Sequence, residues 1–340
     1  MTSIPSSPFS IRVTRRAALG RGAALLAAAA GGHALAARAS GYPAKPVTIV
    51  VNFPPGAGAL NLMVRALADD AVKALGQPVV IDYKAGAGGN IGAQHVAGAR
   101  PDGYVLLAAV DTTFTVNPSI YASMPFDADK AFLPIATLGT FSQMLVVNPR
   151  ALPVRTFAEL VAHAKTQPVH YASAGSGSPG HIASELLAAT AGLRLEHVPY
   201  KGNAPATQGL LAGDVPLGFL VTSGVQPHVQ AGKLHALAVS SARRSQAMPD
   251  VPTVAESGYP GFVVEFGWVL TAPAGTPPAV VQAWQQQVRR TLARDDIRQR
   301  LQDWDVHPSG AGTEDTASRL TRERARWAEV TRRAGIRAEG

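Results

Sequence analysis

The chain has 340 residues, of which 46% are hydrophobic and 16% charged, and it contains no cysteine. This length predicts two domains with hydrophobic cores, and the composition excludes a disordered or fibrous protein. The lack of cysteine excludes disulfides, thiolate-bound zinc, iron–sulfur clusters and thiol catalysis. A net charge of +8 is compatible with a nucleic-acid-binding protein, but this interpretation depends on where the basic residues lie in the sequence.

The first 39 residues predict an export signal. They carry five arginines and no acidic residue, and Arg15 and Arg16 precede an apolar stretch that reads ALLAAAAGG from Ala23. This stretch is well short of the ~20 residues that span a bilayer, and small residues up to Ala36 and Ala39 give two candidate cleavage points. The arginine pair also permits twin-arginine export. We therefore expect a periplasmic protein; the alternative, an alanine-rich amphipathic helix, lacks a polar face.

The remaining charge does not favour nucleic acid. Residues 281–340 hold 12 basic and nine acidic residues at helical spacing, and residues 40–280 hold 14 of each kind. Mixed charges at that spacing are typical of exposed helix faces, and no basic patch with interleaved aromatic residues occurs. We therefore expect no nucleic-acid partner.

Strands and helices alternate along the mature chain. The pattern predicts strands at residues 47–53, 79–83, 104–110, 144–147, 169–173, 196–200, 217–221, 236–240 and 263–270. It predicts helices at residues 60–75, 90–97, 156–166, 182–190, 278–293 and 315–334, with Asn90 and Thr156 as helix caps. Such alternation predicts α/β domains, each a mostly parallel sheet flanked by helices. We expect one domain at 40–142 with 266–340, which includes the C-terminal helices, a second at 143–265, and a ligand cleft between them.

The first candidate binding segment is the turn that follows the first strand. It reads FPPGAGALN and leads into a helix, and ligands of open α/β sheets lie at such strand ends. Free N–H groups and the helix dipole there attract an anion, such as a carboxylate or a phosphate. The candidate residues are Phe53, Pro54, Gly56, Ala57, Gly58, Ala59 and Asn61. The alternative is a plain strand–helix turn without a ligand.

A dinucleotide site is another interpretation of the same turn. Gly56 and Gly58 begin a G-x-G pattern, and Asp82 ends the next strand, where an acid could bind a ribose. However, Asn61 occupies the third glycine position, and an exported protein does not meet the cytoplasmic NAD pool. We therefore expect no cofactor.

The second candidate segment is the glycine–serine loop at 171–181, YASAGSGSPGH, which precedes a helix and suits an anion or a polar ligand group. Its candidate residues are Ser173, Ala174, Ser176, Ser178 and His181. A secreted serine hydrolase using Ser178 or Ser176 is the alternative, although no G-x-S-x-G motif or orienting acid accompanies them. Further candidates at or after strand ends are Thr112, Thr113, Asn203, Val221 and Thr222.

The remaining titratable residues predict neither a metal site nor a catalytic centre. The nine histidines lack the H-x-x-x-H and H-E-x-x-H spacings of metal ligands. No pair of carboxylates is placed for acid–base catalysis. The sequence therefore favours a binding protein over an enzyme.

Taken in order, several segments resemble the periplasmic solute receptors of tripartite tricarboxylate transporters, also known as Bordetella uptake receptors. They span essentially the whole mature chain: YPAKP (42–46), FPPG (53–56), ALGQPVV (74–80), GAGGNIG (86–92), PDGY (101–104), VPYKG (198–202), AGKL (231–234), PDVPT (249–253) and APAGTP (272–277). The resemblance implies a non-enzymatic, type II-like two-domain periplasmic binding protein that closes on a small organic acid. It implies that the first turn and the glycine–serine loop hold a carboxylate, mostly through backbone groups and water. It also implies membrane permease subunits or a sensor kinase as partners, and we expect a monomer.

Two departures from the family pattern bear on the ligand. The first turn is one residue longer than the family's glycines followed by Thr-Asp, and Leu220 stands where family members commonly carry Asp. Loss of acids near the cleft would weaken recognition of an amino or hydroxyl group. We therefore expect a less polar carboxylate, aromatic or branched, in place of an amino acid.

Overall fold

The computed structural model describes residues 41–55 and 59–338. The predicted export signal and the turn residues Gly56, Ala57 and Gly58 lie outside these residues. The chain from Lys45 onwards forms one compact unit. Within the described part of the chain, no helix combines the length and the apolar character needed to cross a membrane.

Helices and strands alternate as predicted. The described strands are β1 (Val47–Val51), β2 (Val79–Tyr83), β3 (Val105–Val110), β4 (Phe132–Val147), β5 (Val169–Ser173), β6 (Leu195–Pro199), β7 (Leu217–Val221), β8 (His235–Val239), β9 (Glu265–Pro273) and β10 (Val306–Pro308). The described helices are α1 (Ala59–Leu75), α2 (Asn90–Ala97), α3 (Thr112–Thr115), α4 (Asn117–Ile120), α5 (Phe157–Thr166), α6 (Pro179–Ala191), α7 (Asn203–Ala212), α8 (Thr222–Gln230), α9 (Pro278–Leu292), α10 (Asp295–Asp303) and α11 (Thr313–Ala334). Except for β4, the predicted elements agree with these bounds to within a few residues.

The strands form one continuous sheet in the order β2-β1-β3-β9-β4-β7-β5-β6, and β8 and β10 also pair with β4. As predicted from the alternation, β1 is parallel to β2 and β3, and β5 is parallel to β6 and β7. The middle strands differ from the prediction: β9 is antiparallel to β3 and β4, and β4 is antiparallel to β7 and β8. The parallel groups therefore lie at the two ends of the sheet.

The long strand β4 runs from one end of the sheet's antiparallel middle to the other and so connects the two parallel groups. Its first part pairs with β9 as far as Ser142, which lies opposite Glu265, and its last part pairs with β7. We call β1, β2, β3, β9, β10 and the first part of β4 the first half, and the last part of β4 with β5 to β8 the second half. The predicted domain boundary runs through the Ser142–Glu265 pair, and separate movement of the two halves stays a prediction.

Ser240 forms hydrogen bonds next to the junction of the two halves. Its Oγ accepts a hydrogen bond from the Gln143 N–H at 2.9 Å and donates one to the Val264 carbonyl at 2.6 Å. The backbone of Ser240 bonds the same two residues. One buried hydroxyl therefore joins the strand that enters the second half to the segment that leaves it.

Two predicted helix caps have different outcomes. Thr156 caps α5, because its side chain accepts the Glu159 N–H at 3.1 Å. Asn90 is instead the first residue of α2, and the cap position is occupied by Gly89. The Asn90 Oδ1 accepts a hydrogen bond from Asn117 Nδ2 at 2.8 Å, so this side chain links α2 to α4.

The C-terminal helix α11 contacts both halves, whereas the sequence predicted packing against the first domain. It packs against β4, α3 and α4 and also against α6 of the second half. Its Arg319 donates to the Asp111 carboxylate at 2.5 Å, and the same carboxylate accepts the Gly267 N–H at 2.7 Å. Burial raises the pKa of Asp111 to about 6, although Arg319 acts in the opposite direction.

Candidate functional site

A cavity of about 380 Å³ lies between the two halves of the sheet. Phe53 follows β1, Val110 ends β3 and Val221 ends β7, and all three line the cavity. Phe141 of β4 and Trp268 of β9 complete the wall from the middle of the sheet. The cavity is therefore built at the carboxyl ends of parallel strands, where α/β sheets bind their ligands.

Four helices begin at this cavity. Their lining residues are Ala59, Leu60 and Asn61 of α1, Pro179 of α6, Asn203, Ala204 and Pro205 of α7, and Ser223 and Gly224 of α8. The first N–H groups of a helix have no partner within the helix, and the helix N-terminus carries a partial positive charge. Four such ends around one cavity favour an anion.

The side chains that line the cavity are otherwise neutral. Among the described residues, no Lys, Arg, Asp or Glu lines it, and His228 is the single titratable side chain that does. The polar lining side chains are Asn61, Asn203, Thr207, Gln208, Ser223 and His228. An anion bound here would therefore be stabilised by helix ends and neutral donors, without an ion pair.

Three buried polar side chains at these helix starts have no hydrogen-bond partner among the described residues. They are the Oδ1 of Asn61, the Oγ of Ser178 and the Oγ1 of Thr222. Ser178 holds the cap position of α6 without bonding that helix, and Thr222 is the first residue of α8. Buried polar groups are nearly always hydrogen-bonded. Of these three residues, Asn61 lines the cavity, where its Oδ1 would accept a hydrogen bond from water or from a donor group of a ligand.

Six of the residues predicted from the sequence line the cavity: Phe53, Pro54, Ala59, Asn61, Asn203 and Val221. Eight others are described but do not line it: Thr112, Thr113, Ser173, Ala174, Ser176, Ser178, His181 and Thr222. The remaining three, Gly56, Ala57 and Gly58, lie outside the described residues. The part that each residue plays in binding stays a prediction.

The glycine–serine loop contacts the first half of the sheet. The Tyr121 hydroxyl donates to the Ser176 carbonyl at 3.1 Å, which joins the segment after α4 to this loop. At a second contact, a Cβ on Gly202 would lie 3.1 Å from Cγ of Pro54. The two halves therefore touch at the glycine–serine loop and also beside the cavity, which Pro54 and Gly202 line.

Serine and histidine side chains of the second half form hydrogen bonds and ring contacts within that half. Ser173 Oγ lies 2.6 Å from His197 Nε2, and the Gly177 N–H donates to His181 Nδ1 at 3.3 Å. The two imidazole rings are 4.3 Å apart. Burial lowers the pKa of His197 to about 4, and burial with the neighbouring His197 lowers the pKa of His181 to about 3. Both rings are therefore neutral at pH 7.

This arrangement does not suit a serine hydrolase. Ser173, which pairs with His197, is completely buried, so a substrate cannot reach its hydroxyl. Ser178 is also buried and makes no hydrogen bond to a histidine among the described residues. The Ser173–His197 pair instead fixes the strand that carries the glycine–serine loop.

The acid expected for a dinucleotide site lies away from the cavity. Asp82, the ribose-binding candidate, is partly exposed and forms an ion pair with Lys84 at 3.1 Å. Within the described ranges, no three His, Cys, Asp or Glu side chains lie together as metal ligands would. Neither observation supports a dinucleotide or a metal ion at this site.

Leu220 does not line the cavity. It is fully buried in the hydrophobic core of the second half, in one cluster with Met144, Ala172 and Leu210. The next residue, Val221, is the one that faces the cavity. The Leu at position 220, where family members commonly carry Asp, therefore changes the core and not the cavity wall, so it does not support a less polar ligand. The polarity of the wall is set by Val221 and the other lining residues.

Sequence reasoning missed several residues of the wall. Thr207, Gln208, Ser223 and His228 lie on α7 and α8, two helices that the pattern did not predict. The strand-end rule gave Asn203, Val221 and Thr222 at the starts of these helices, but it does not reach residues further along each helix. Phe141 and Trp268 lie inside β4 and β9, where nothing local distinguishes them from core residues.

Comparison with known proteins agrees with this architecture. The family model described as the tripartite tricarboxylate transporter family receptor matches residues 63–336. Among solved structures, R. palustris Rpa4515 with adipate is 32% identical with a TM-score of 0.83, and the match covers 88% of this chain and 100% of that one. The periplasmic binding protein BugD has 32% identity, a TM-score of 0.82 and the same coverage.

A third structure, MatC from Rhodopseudomonas palustris with bound malate, is 30% identical with a TM-score of 0.79 and covers 85% of this chain and 99% of that one. These matches confirm the resemblance seen in the sequence and the α/β periplasmic binding protein fold. The chain belongs to the receptor family of the tripartite tricarboxylate transporters, whose members are solute-binding proteins and not enzymes.

Proposed function

We propose that this receptor captures a small organic carboxylate in the cavity between the two halves of its sheet and delivers it to a membrane permease. One observation carries the proposal: four helix N-termini meet at a cavity that no charged side chain of the described residues lines. Partly buried helix ends each stabilise an anion by up to ~2 kcal/mol. Because the lining is neutral and largely apolar, a carboxylate with an apolar body matches both parts of the site.

The related structures support the same class of ligand. Rpa4515 was solved with adipate and MatC with malate, and both proteins share about a third of their residues with this chain. Adipate and malate are both small organic acids. A carboxylate is therefore the first class of ligand to test for this chain.

The binding step is tested by calorimetric titration of the purified protein with malate, adipate, glutamate and phenylacetate, and with uncharged phenylacetamide. At least one acid is expected to bind saturably, and phenylacetamide is expected not to bind. Binding should also stabilise the fold by about 2.7 kcal/mol at a hundredfold excess over Kd. Failure of every carboxylate, or equal binding of phenylacetamide, would contradict the proposal.

The position of the binding site is tested by filling the cavity. Gly224 lines the cavity on α8, and a Cβ there meets open space apart from Thr207 Oγ1 at 3.9 Å. Gly224→Trp is expected to abolish carboxylate binding while the protein stays folded. Gly98→Trp is the matched control, because Gly98 is exposed, has negative φ and does not line the cavity. Unchanged binding in Gly224→Trp would place the ligand elsewhere. Loss of binding in both variants would show that the effect is not specific to the cavity, which would also contradict the proposed position.

The partner is tested in cells. If the receptor serves a permease, deleting its gene should abolish uptake of a radiolabelled ligand, and uptake should return with the wild-type gene but not with the Gly224→Trp gene. If uptake continues without the receptor while a transcriptional response to the ligand disappears, the partner is a sensor kinase. That outcome would contradict delivery to a permease and leave the proposed carboxylate binding unaffected.

We also propose that the first 36 or 39 residues are removed on export to the periplasm. The arginine-rich, acid-free start and its short apolar stretch support this, as does membership of a periplasmic receptor family. N-terminal sequencing of the protein from a periplasmic fraction should give a start at Ala37 or Ser40. Replacing Arg15 and Arg16 with lysine should block export only if the twin-arginine route is used. An uncleaved N-terminus would contradict the proposal.

A further inference from the structure

We infer that Tyr121 is a positioning residue for ligand binding, which acts by joining the glycine–serine loop of the second half to a glycine segment of the first half. The glycine segment reads GAGG at residues 86–89 and includes a short 3₁₀ turn at Ala87–Gly89, just before α2. This inference rests on the proposed function and goes beyond it, because it names a residue that acts on binding from outside the cavity.

The loop contact, as we call it, consists of Gly88, Asn117 and Tyr121 in the first half and Ser176 and Gly177 in the second. The Tyr121 hydroxyl donates a hydrogen bond to the Ser176 carbonyl at 3.1 Å. A Cβ on Gly88 would lie 2.9 Å from the same carbonyl oxygen, and a Cβ on Gly177 would lie 2.7 Å from Asn117 Oδ1. Both glycines also have positive φ, +60° and +78°. A side chain at either position would therefore be strained and would meet the opposite half.

Two buried asparagines hold the first-half side of the loop contact in place. Asn52, which follows β1, donates to the Gly89 carbonyl at 3.2 Å and to Thr113 Oγ1 at 2.9 Å. Asn117 donates to the Gly88 carbonyl at 3.0 Å. Neither asparagine is exposed to solvent. The glycine segment therefore presents a fixed surface to the loop.

The second-half side of the loop contact leads directly to the start of α6. The Gly177 N–H donates to His181 Nδ1 at 3.3 Å, which ties the loop to the first turn of that helix. Pro179 of the same turn lines the cavity. Movement of Ser176 away from Tyr121 would therefore displace the α6 N-terminus, one of the helix ends that favour an anion.

Loss of the loop contact should weaken all ligands by one common factor. None of its residues lines the cavity, so a substitution there leaves the direct ligand contacts in place. It changes only the fraction of molecules in which the α6 N-terminus is positioned for binding. The apparent dissociation constant rises in inverse proportion to that fraction, whichever ligand is bound. One neutral hydrogen bond changes such an equilibrium ~3- to 10-fold.

The inference is tested by calorimetric titration of Tyr121→Phe with malate, adipate and phenylacetate. The variant removes the hydroxyl and keeps the ring, so each acid that the wild type binds should bind ~3- to 10-fold more weakly, by the same factor. Tyr83→Phe is the matched control and should change no affinity, because Tyr83 is also partly buried but its hydroxyl has no hydrogen-bond partner among the described residues. Unchanged or unequally weakened affinities in Tyr121→Phe would overturn the inference and leave the proposed function standing. A wild type that binds no carboxylate would overturn both.

A pair of glycine variants tests the close approach of the two halves. Gly88→Ala places a Cβ against the Ser176 carbonyl, whereas Gly76→Ala places one at a similar φ of +69° with nothing within 4 Å. The strain of alanine at positive φ is common to both variants. Gly88→Ala alone should weaken every acid, and by more than Tyr121→Phe does. Equal affinities in the two glycine variants would contradict the inference.

Hydrogen exchange measured by mass spectrometry gives a readout that a general loss of stability does not produce. In wild type, the tightest-binding of the three acids should slow exchange in the glycine segment and the glycine–serine loop together, although residues 86–89 do not line the cavity. In Tyr121→Phe this shared protection should be reduced, while exchange in β4 stays as in wild type. Protection confined to the segments that line the cavity would overturn the inference.

Discussion

Lowering the pH from 7.5 to 5 should destabilise the protein through His181 and His197. The pKa of each ring lies below its ordinary value of 6.5, at about 3 and about 4, because the folded protein buries both rings side by side. The folded state therefore binds fewer protons than the unfolded chain once the pH falls below 6.5. Stability is complete above that pH and decreases as the pH falls towards the folded-state pKa values.

The size of the loss follows from these values. At pH 5 an unfolded histidine is almost fully protonated, whereas a folded one with a pKa of about 4 is largely neutral. The linkage relation then gives a loss of about 2 kcal/mol for His197 between pH 7.5 and pH 5, reduced to ~1–2 kcal/mol because solvent still reaches part of the ring. His181 has the lower pKa and acts in the same direction.

The assay compares wild type with His197→Gln, because glutamine keeps a hydrogen-bonding group for Ser173 but does not titrate. The free energy of unfolding in urea is measured for both proteins at pH 7.5 and pH 5. Wild type should lose ~1–2 kcal/mol more than the variant, and Asp111, whose raised pKa acts in the opposite direction, is common to both. His95→Gln, at an exposed position on α2, is the control and should follow wild type. Parallel losses in wild type and His197→Gln would refute the reasoning.

Four further substitutions test the fold around the site. Gly180→Ala places a Cβ 2.1 Å from the Phe219 carbonyl oxygen, so it should lower the free energy of unfolding in urea by about 3 kcal/mol. An unchanged unfolding midpoint would argue against the close packing of α6 on β7. Ser240→Ala removes two buried hydrogen bonds next to the junction of the halves and should cost about 2 kcal/mol in the same assay. A loss near zero would mean that water replaces the hydroxyl. Leu220→Asp should destabilise by more than ~3 kcal/mol because the position is in the core, whereas Val221→Asp should fold and lose carboxylate affinity. A well-folded Leu220→Asp protein with altered ligand preference would reverse that assignment.

The sequence predicted the parallel parts of the sheet well and its centre poorly. β1 and β3 are short runs of apolar or β-branched residues between turns, which is a local signal. Most of β4 gave no such signal, because Pro134, Gly139 and several polar residues interrupt its apolar pattern. Its strand conformation is set by pairing with β9, more than 100 residues away along the chain, and long-range pairing cannot be deduced from local residue patterns.

Helices α7 and α8 were missed for a related reason. α7 contains Pro205 and Gly209, and α8 contains Pro227, and these residue types have low helix propensity. The packing of α7 accounts for its glycine, since a Cβ on Gly209 would lie 2.3 Å from the Tyr200 hydroxyl. Tertiary contact therefore decides these helices, and with them half of the cavity wall.

The candidate site was predictable where it depends on strand ends and helix starts. The turn after β1 was found because anions bind where a helix follows a strand, and Asn203 was found because it follows a strand end; Phe53, Asn61 and Asn203 line the cavity. The hydroxyls of the glycine–serine loop were expected in the cleft, but Ser173 bonds His197 instead. Which way a loop side chain points depends on neighbours that residue spacing does not encode.

In the proposed function, helix N-termini and neutral side chains hold a carboxylate in the cavity. A crystal structure of the receptor with the tightest-binding carboxylate of the titration panel would show this contact. We expect the ligand to contact the cavity lining, with its carboxylate oxygens hydrogen-bonded to backbone N–H groups at the start of α1, α6, α7 or α8. A ligand bound outside the cavity, or a carboxylate held by a Lys or Arg side chain, would contradict it.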